Sequence, residues 1–145
     1  MQPTTHHESL ELDAATIACA SPADIGRLGE RLARMHLTEN DRATIVARNW
    51  RVATGELRGE LDCVCLDHES RQLVVVEVKC RVGATRFGGA AAAYPARKHA
   101  KVRRLAALYR ATHPAMYNSL RIDVVAIDVA SSTGRVDLTH FVEVS

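Results

Sequence analysis

A chain of 145 residues with 47% hydrophobic side chains and a net charge of +2 is long enough for one sizeable core and too short for two. No apolar run reaches the length that crosses a bilayer, and the first twenty residues hold Glu8, Glu11 and Asp13 with no Lys or Arg, unlike the basic start of a secretory signal. The expectation is a folded cytoplasmic protein with no membrane partner.

Met1 to Ala20 is polar and aperiodic and reads as a mobile N-terminal tail, ahead of one domain over residues 21–145. Ser21-Pro22 then starts a helix, with Ser21 as N-cap, Pro22 in the first helical position and Asp24 in the first turn. Ile25, Leu28, Leu32 and Met35 form its apolar stripe. Gly26, Gly29, Ala33 and Leu37 make a flank of small side chains suited to close approach, and Glu30 lies at its edge. Glu30 can either reach inward over another element or stand as an ordinary solvated glutamate. Ala43 to Arg48 reads as the first strand, ending at Asn49-Trp50-Arg51, with Trp50 expected to pack against the domain.

Thr54-Gly55 turns the chain into its central stretch, Gly59 to Arg81. Val-rich runs flank the polar cluster Asp67 to Ser70, which predicts a β-hairpin. Strand alternation places Glu60 and Asp62 on one face of the first strand, and Glu77 and Lys79 on one face of the second. If paired residue numbers sum to an odd value, all four share a side, while Leu61, Cys63 and Cys65 join Val74, Val76 and Val78 in one apolar face. An even sum separates them. The continuous apolar face favours the odd register.

Arg81 to Ala93 is Gly- and Ala-rich and reads as a flexible loop, with a substrate-contacting lid carrying Arg86 and Phe87 as the alternative. Tyr94-Pro95 starts a second helix running to about Ala111, with Arg97 and Lys98 in its first turn, where the helix dipole disfavours cations. A nearby anion would explain their position. Leu120 to Asp128 is the next strand, parallel to the Glu77 strand because the connection is long enough for a crossover. Arg121 and Asp123 share a face of it and read as an anchoring ion pair. Val136 to Val144 closes the chain as a hairpin strand at the sheet edge. Cys19, Cys63, Cys65 and Cys80 lack C-x-x-C spacing and read as reduced core thiols.

Asp62, then Glu77-Val78-Lys79, resembles the acidic core of the PD-(D/E)xK nuclease superfamily. Gly26 to Glu30, Arg48-Asn49, Gly59 to Asp62, Val76 to Arg81, Lys98 and Arg121-Ile122-Asp123 together resemble the YraN-like family of small proteins. Leu61 stands where the superfamily name places a Pro. The resemblance implies an α/β restriction-endonuclease-like core, a mixed sheet with helices on both faces in the order α-β-β-β-α-β plus a terminal hairpin strand. It implies Mg²⁺ or Mn²⁺ as cofactor, with Asp62, Glu77, the Val78 carbonyl and Glu30 as ligands. Catalysis would fall to Glu30, Asp62, Glu77 and Lys79, with Lys79 orienting or deprotonating the attacking water or stabilising the phosphorane-like charge.

Charge distribution bears on the partner. Arg81 to Arg110 contains eight basic residues and no acidic one, so the rest of the chain is net negative. A basic block beside a carboxylate cluster suits a polyanion approaching a metal site, with Arg81, Arg86, Arg97, Lys98 and Lys101 as the residues that would meet nucleic acid, DNA before RNA. The function implied is metal-dependent hydrolysis of phosphodiesters by an endonuclease, with branched or damaged DNA as the substrate class the superfamily suggests. The alternative is a non-catalytic nucleic-acid-binding or interaction protein on the same fold. A pure binder gains nothing from carboxylates aimed at a polyanion, because each repels it unless a cation intervenes.

Overall fold

The hairpin at the centre of the sequence also lies inside the sheet. A computed structural model describes residues 5–53, 55–83, 94–114 and 117–144. In chain order these form β1 (Thr5–Glu11), α1 (Ala14–Cys19), α2 (Pro22–Thr38), a 3-10 turn (Glu39–Asp41), β2 (Ala43–Val52), β3 (Gly59–Asp67), β4 (Gln72–Val82), α3 (Ala96–Thr112), β5 (Ser119–Val129) and β6 (Arg135–Phe141). One six-stranded mixed sheet results, ordered β1-β6-β5-β4-β3-β2, in which only β4 and β5 run parallel.

The β3–β4 register is odd: Cys63 faces Val76, Val64 faces Val75 and Cys65 faces Val74. Alternation then divides the strands between two cores. Cys63, Cys65, Val74, Val76, Val125 and Ile127 pack under Leu32, Ala33 and Leu37 of α2. Val64, Leu66, Leu73 and Val75 pack under Val102, Leu105, Ala106 and Tyr109 of α3, so helices cover both faces. Leu61 departs from the expectation. It joins the α3-side core, because the β3–β4 ladder ends at Cys63 while β3 continues along β2, with Trp50 opposite Leu61.

Helix α2 starts as predicted. Ser21 Oγ accepts from Asp24 N at 3.2 Å and Asp24 Oδ2 accepts from Ser21 N at 3.1 Å, closing a capping box. Gly29 is the point of contact with the sheet: a Cβ there would stand 2.5 Å from Cys80 Cβ, so only glycine lets the helix backbone rest on β4. At Gly59 a Cβ would meet only the side-chain ends Leu105 Cδ1 at 2.8 Å and Lys101 Cε at 2.9 Å, which can shift. Trp50 packs edge-on against Tyr109, as expected of a structural tryptophan.

Arg121 fastens the end of the sheet that carries the β3–β4 turn. Its guanidinium grips Asp123 through two bonds of 2.8 and 3.0 Å and reaches Asp67 at 2.9 Å. Asp123 is fully buried and also accepts from His140 Nε2 at 2.8 Å and from Glu143 N at 2.9 Å. His140 Nδ1 in turn lies 3.0 Å from His36 Nε2 of α2. The ion pair expected of Arg121 and Asp123 is thus one part of a larger buried network.

Other expectations are corrected too: β6 is not the sheet edge, because β1 pairs along its outer side. The segment Met1 to Ala20 is no tail over its described part: β1 pairs antiparallel with β6 from Thr5↔Phe141 to Glu11↔Arg135, and Asp13 caps α1. An edge strand can be polar throughout, so it leaves no hydrophobic period to read. Cys63 and Cys65 are buried core thiols as expected, but Cys19 is exposed. The anticipated lid residues Arg86 and Phe87 lie outside the described residues.

Candidate active site

The site forms where β3 and β4 part. Beyond Cys63↔Val76 the ladder gives way to a side chain: Asp62 Oδ2 accepts the Val78 N–H at 2.9 Å. This bond satisfies a strand N–H that has lost its backbone partner, and it fixes the carboxylate beside β4. It also shows what Val78 contributes among the described contacts, a backbone donor to Asp62.

Glu77 is the buried member of the site, with 3% of its side chain exposed. Lys98 Nζ from the first turn of α3 lies 3.1 Å from Glu77 Oε2. Oε1 has no hydrogen-bond partner among the described residues. Burial, followed by the repulsion of Asp62, pushes the Glu77 carboxyl up to about 7, against the opposing pull of Lys98. Asp62 is raised as well, chiefly by burial, with the Val78 N–H and Lys98 working in the other direction. Negative charge on Asp62 thus opposes ionisation of Glu77, and a cation beside them would relieve that repulsion.

Glu30 and Glu60 complete the cluster. One carboxylate oxygen from each of Glu30, Glu60 and Asp62 lies within 4.8 Å of the others. Glu30 arrives from α2, one residue beyond the Gly29 contact with β4. Its carboxyl is raised by burial first and then by Asp62 and Glu60, while Arg34 and a hydrogen bond from Asn49 lower it. Asn49 has φ 50°, in the left-handed region that asparagine enters more readily than most residues other than glycine. This bend in β2 presents the Asn49 amide to Glu30. Glu60 carries its own counterion, Arg51 Nε at 2.6 Å.

Of the residues expected to catalyse, the structure brings Glu30, Asp62 and Glu77 together around Asp62. Lys79 is half-buried, and no hydrogen bond or ion pair engages it among the described residues; the cation on Glu77 is Lys98. Arg81, Arg97 and Lys101 are exposed, whereas Lys98 belongs to the acidic cluster as much as to the surface. Arg86 lies outside the described residues. Sequence reasoning placed Glu60 on the carboxylate face without assigning it a role, and it missed Asn49 and Tyr94. The Tyr94 hydroxyl lies 3.0 Å from His99 Nδ1, and its ionisation is pushed upward by burial and by the negative charge of Glu77 and Asp62. An Asn closing a strand and a Tyr before a Pro carry no signal of proximity to residues far along the chain.

Fold and site define a mixed α/β protein whose central hairpin opens onto a partly buried carboxylate cluster. Among the described residues no helix is long and apolar enough to cross a membrane. The chain belongs to the family described as "Uncharacterised protein family UPF0102", whose profile matches residues 29–127. It is 46% identical over 116 residues to a UPF0102 protein of Frankia casuarinae, covering 80% of this chain and 91% of that one. A Frankia alni relative is 48% identical over 103 residues, covering 71% and 79%. A UPF0102 protein of Mycobacterium tuberculosis is 38% identical over 127 residues, covering 86% and 94%. No solved structure gives a significant match.

Proposed function

We propose that this protein is a metal-dependent endonuclease of the PD-(D/E)xK class, acting on nucleic acid with Mg²⁺ or Mn²⁺. The order α2-β2-β3-β4-α3-β5, with an antiparallel central hairpin and a parallel β4–β5 pair, supports the restriction-endonuclease-like reading of the fold. The observation that carries the proposal is the convergence of Glu30, Glu60 and Asp62 within 4.8 Å, with the buried Glu77 repelled by Asp62 beside them. Glu77 Oε1 is buried without a donor among the described residues, and the Glu30, Asp62 and Glu77 carboxyls are pushed upward by burial and by neighbouring negative charge. A set of hard oxygen donors that is unstable without a cation suits a small divalent ion.

Asp62, Glu77 and Glu30 would hold that ion, with Glu60 adjoining. When bound, it supplies a nucleophilic water at neutral pH and offsets charge on the phosphorus oxygens. The chain's own residues do the remaining work. The Val78 N–H fixes Asp62, Lys98 restrains Glu77, and Asn49 steadies Glu30. Lys79, with no partner of its own among the described residues, is available to take the water proton or to face the phosphate as water adds to phosphorus and the ester oxygen departs. The exposed Arg97 and Lys101 offer phosphate contacts beside the cluster.

Mn²⁺ titrated into the protein should raise its melting temperature, since binding to the folded state alone stabilises by about 2.7 kcal/mol at a hundredfold excess over Kd. Asp62→Asn should abolish that response along with any cleavage of DNA substrates. A wild-type protein indifferent to Mn²⁺ and Mg²⁺ would overturn the proposal.

A further inference from the structure

Glu30 and Glu60 approach within 4.8 Å, yet they line two different clefts. Glu60 belongs to the cleft of about 640 Å³ beneath α3 that also holds Arg97, Lys98 and Lys101. Glu30 belongs to a cleft of about 630 Å³ along α2 and the end of β2. The two hollows therefore meet at the carboxylates.

The α2 cleft is strongly basic. Arg27, Arg31 and Arg34 recur at helical spacing along one stripe, and Arg48 joins them from β2. Arg27 is engaged by Asp24. No hydrogen bond or ion pair engages Arg31, Arg34 or Arg48 among the described residues, so three guanidiniums converge on one concavity with no protein anion bonded to them. Arg34 is near enough to act on Glu30, and both Arg34 and Arg48 act on Cys63 beneath the cluster. Arg34 offsets part of the Glu30 charge, but Arg31 and Arg48 have no such bonded partner among the described residues, and the planar fork of arginine matches the paired oxygens of a phosphate.

We infer that the cleft lined by Arg31, Arg34 and Arg48 is a second phosphate-binding surface, so that a nucleic-acid strand crosses the carboxylates with phosphates held on both sides. This inference rests on the proposed nuclease function and adds the path of the substrate. A strand spanning both clefts is cut internally, and a mononucleotide cannot engage both surfaces. Of the sequence's contiguous basic block, Arg97, Lys98 and Lys101 line the other cleft, so that block supplies only one part of the surface.

The test uses a fluorescein-labelled single-stranded oligonucleotide, fluorescence anisotropy and Ca²⁺ in place of Mg²⁺ to prevent turnover. In Arg31→Ala/Arg48→Ala, affinity should fall at least tenfold, and the slope of log K against log salt should shrink by about 0.7 per lost contact. Arg31→Lys/Arg48→Lys should keep the slope. Mn²⁺ binding by calorimetry should be unchanged in both variants, since neither side chain belongs to the carboxylate cluster. Wild-type binding with an unaltered alanine variant would overturn the second surface and leave the nuclease reading standing. A wild type that binds no oligonucleotide would overturn both.

Discussion

Replacing Glu77 with Gln tests the central electrostatic claim in the metal-free protein. The carboxyl is raised from 4.5 to about 7 by burial and by Asp62, with Lys98 already counted on the opposing side. Between those values the folded state keeps a proton that the unfolded chain has released, so stability falls as pH rises through the window. At about 1.36 kcal/mol per pH unit the full cost above pH 7 is roughly 3 kcal/mol, an upper figure because Asp62 shares the interaction. With only 3% of the side chain exposed, solvent screening removes little of it. The amide carries no charge to bury, so Glu77→Gln should match wild type near pH 4.5 and melt roughly 5–10 °C higher near pH 8 in EDTA. Thermal melts of both proteins at the two pH values measure this directly. A variant destabilised at both, or a difference that ignores pH, would show that Glu77 serves as the structural partner of Lys98 and would refute the reasoning.

Gly29→Ala places a Cβ against Cys80 and must lift α2 from β4; overpacking costs about 1–3 kcal/mol, against about 1 regained from helix propensity. Stability by urea titration should change little or fall modestly, while Mn²⁺ affinity should fall because Glu30 moves with the helix. Asp123→Asn breaks a buried pair and should cost about 3–5 kcal/mol in the same assay, with Asp62→Asn as the contrast. Asp123 is held below its ordinary 3.8 despite burial, by bonds from His140 and Arg121, so its contribution is present at neutral pH and is lost as acid protonates it below that value. An acid-unfolding curve should therefore steepen in wild type and not in Asp123→Asn. Deleting residues 1–11 uncovers the outer edge of β6 and should promote association, visible by size-exclusion chromatography.

The central hairpin was legible because two independent requirements, a continuous apolar face and a shared carboxylate face, select the same register. The departure at Leu61 was not, because it depends on where β3 leaves β4 and follows β2, a choice set by the turn at Asn49 and by Asp62 taking the Val78 N–H. Lys79 was legible as a neighbour of Glu77 by alternation, but the cation that reaches Glu77 comes from α3, twenty-one positions along the chain, and only tertiary packing reveals it. Charge counting along the sequence finds a contiguous run such as Arg81 to Arg110. It passes over Arg31, Arg34 and Arg48, which a helix and a strand bring into one hollow. The polar β1 gave no period at all, since its contribution is its backbone.

The pairing of β1 with β6 constrains how the protein is made. β1 leaves the ribosome first among the strands, and its partner β6 leaves last, so the sheet cannot close while the chain is being extended at about 5–20 residues per second. β2, β3 and β4 pair with near neighbours and can assemble early, with the carboxylates of β3 and β4 already adjacent. β1 must wait until β6 has been made, and its docking is a contact of very long sequence separation, which places it among the slow steps of folding.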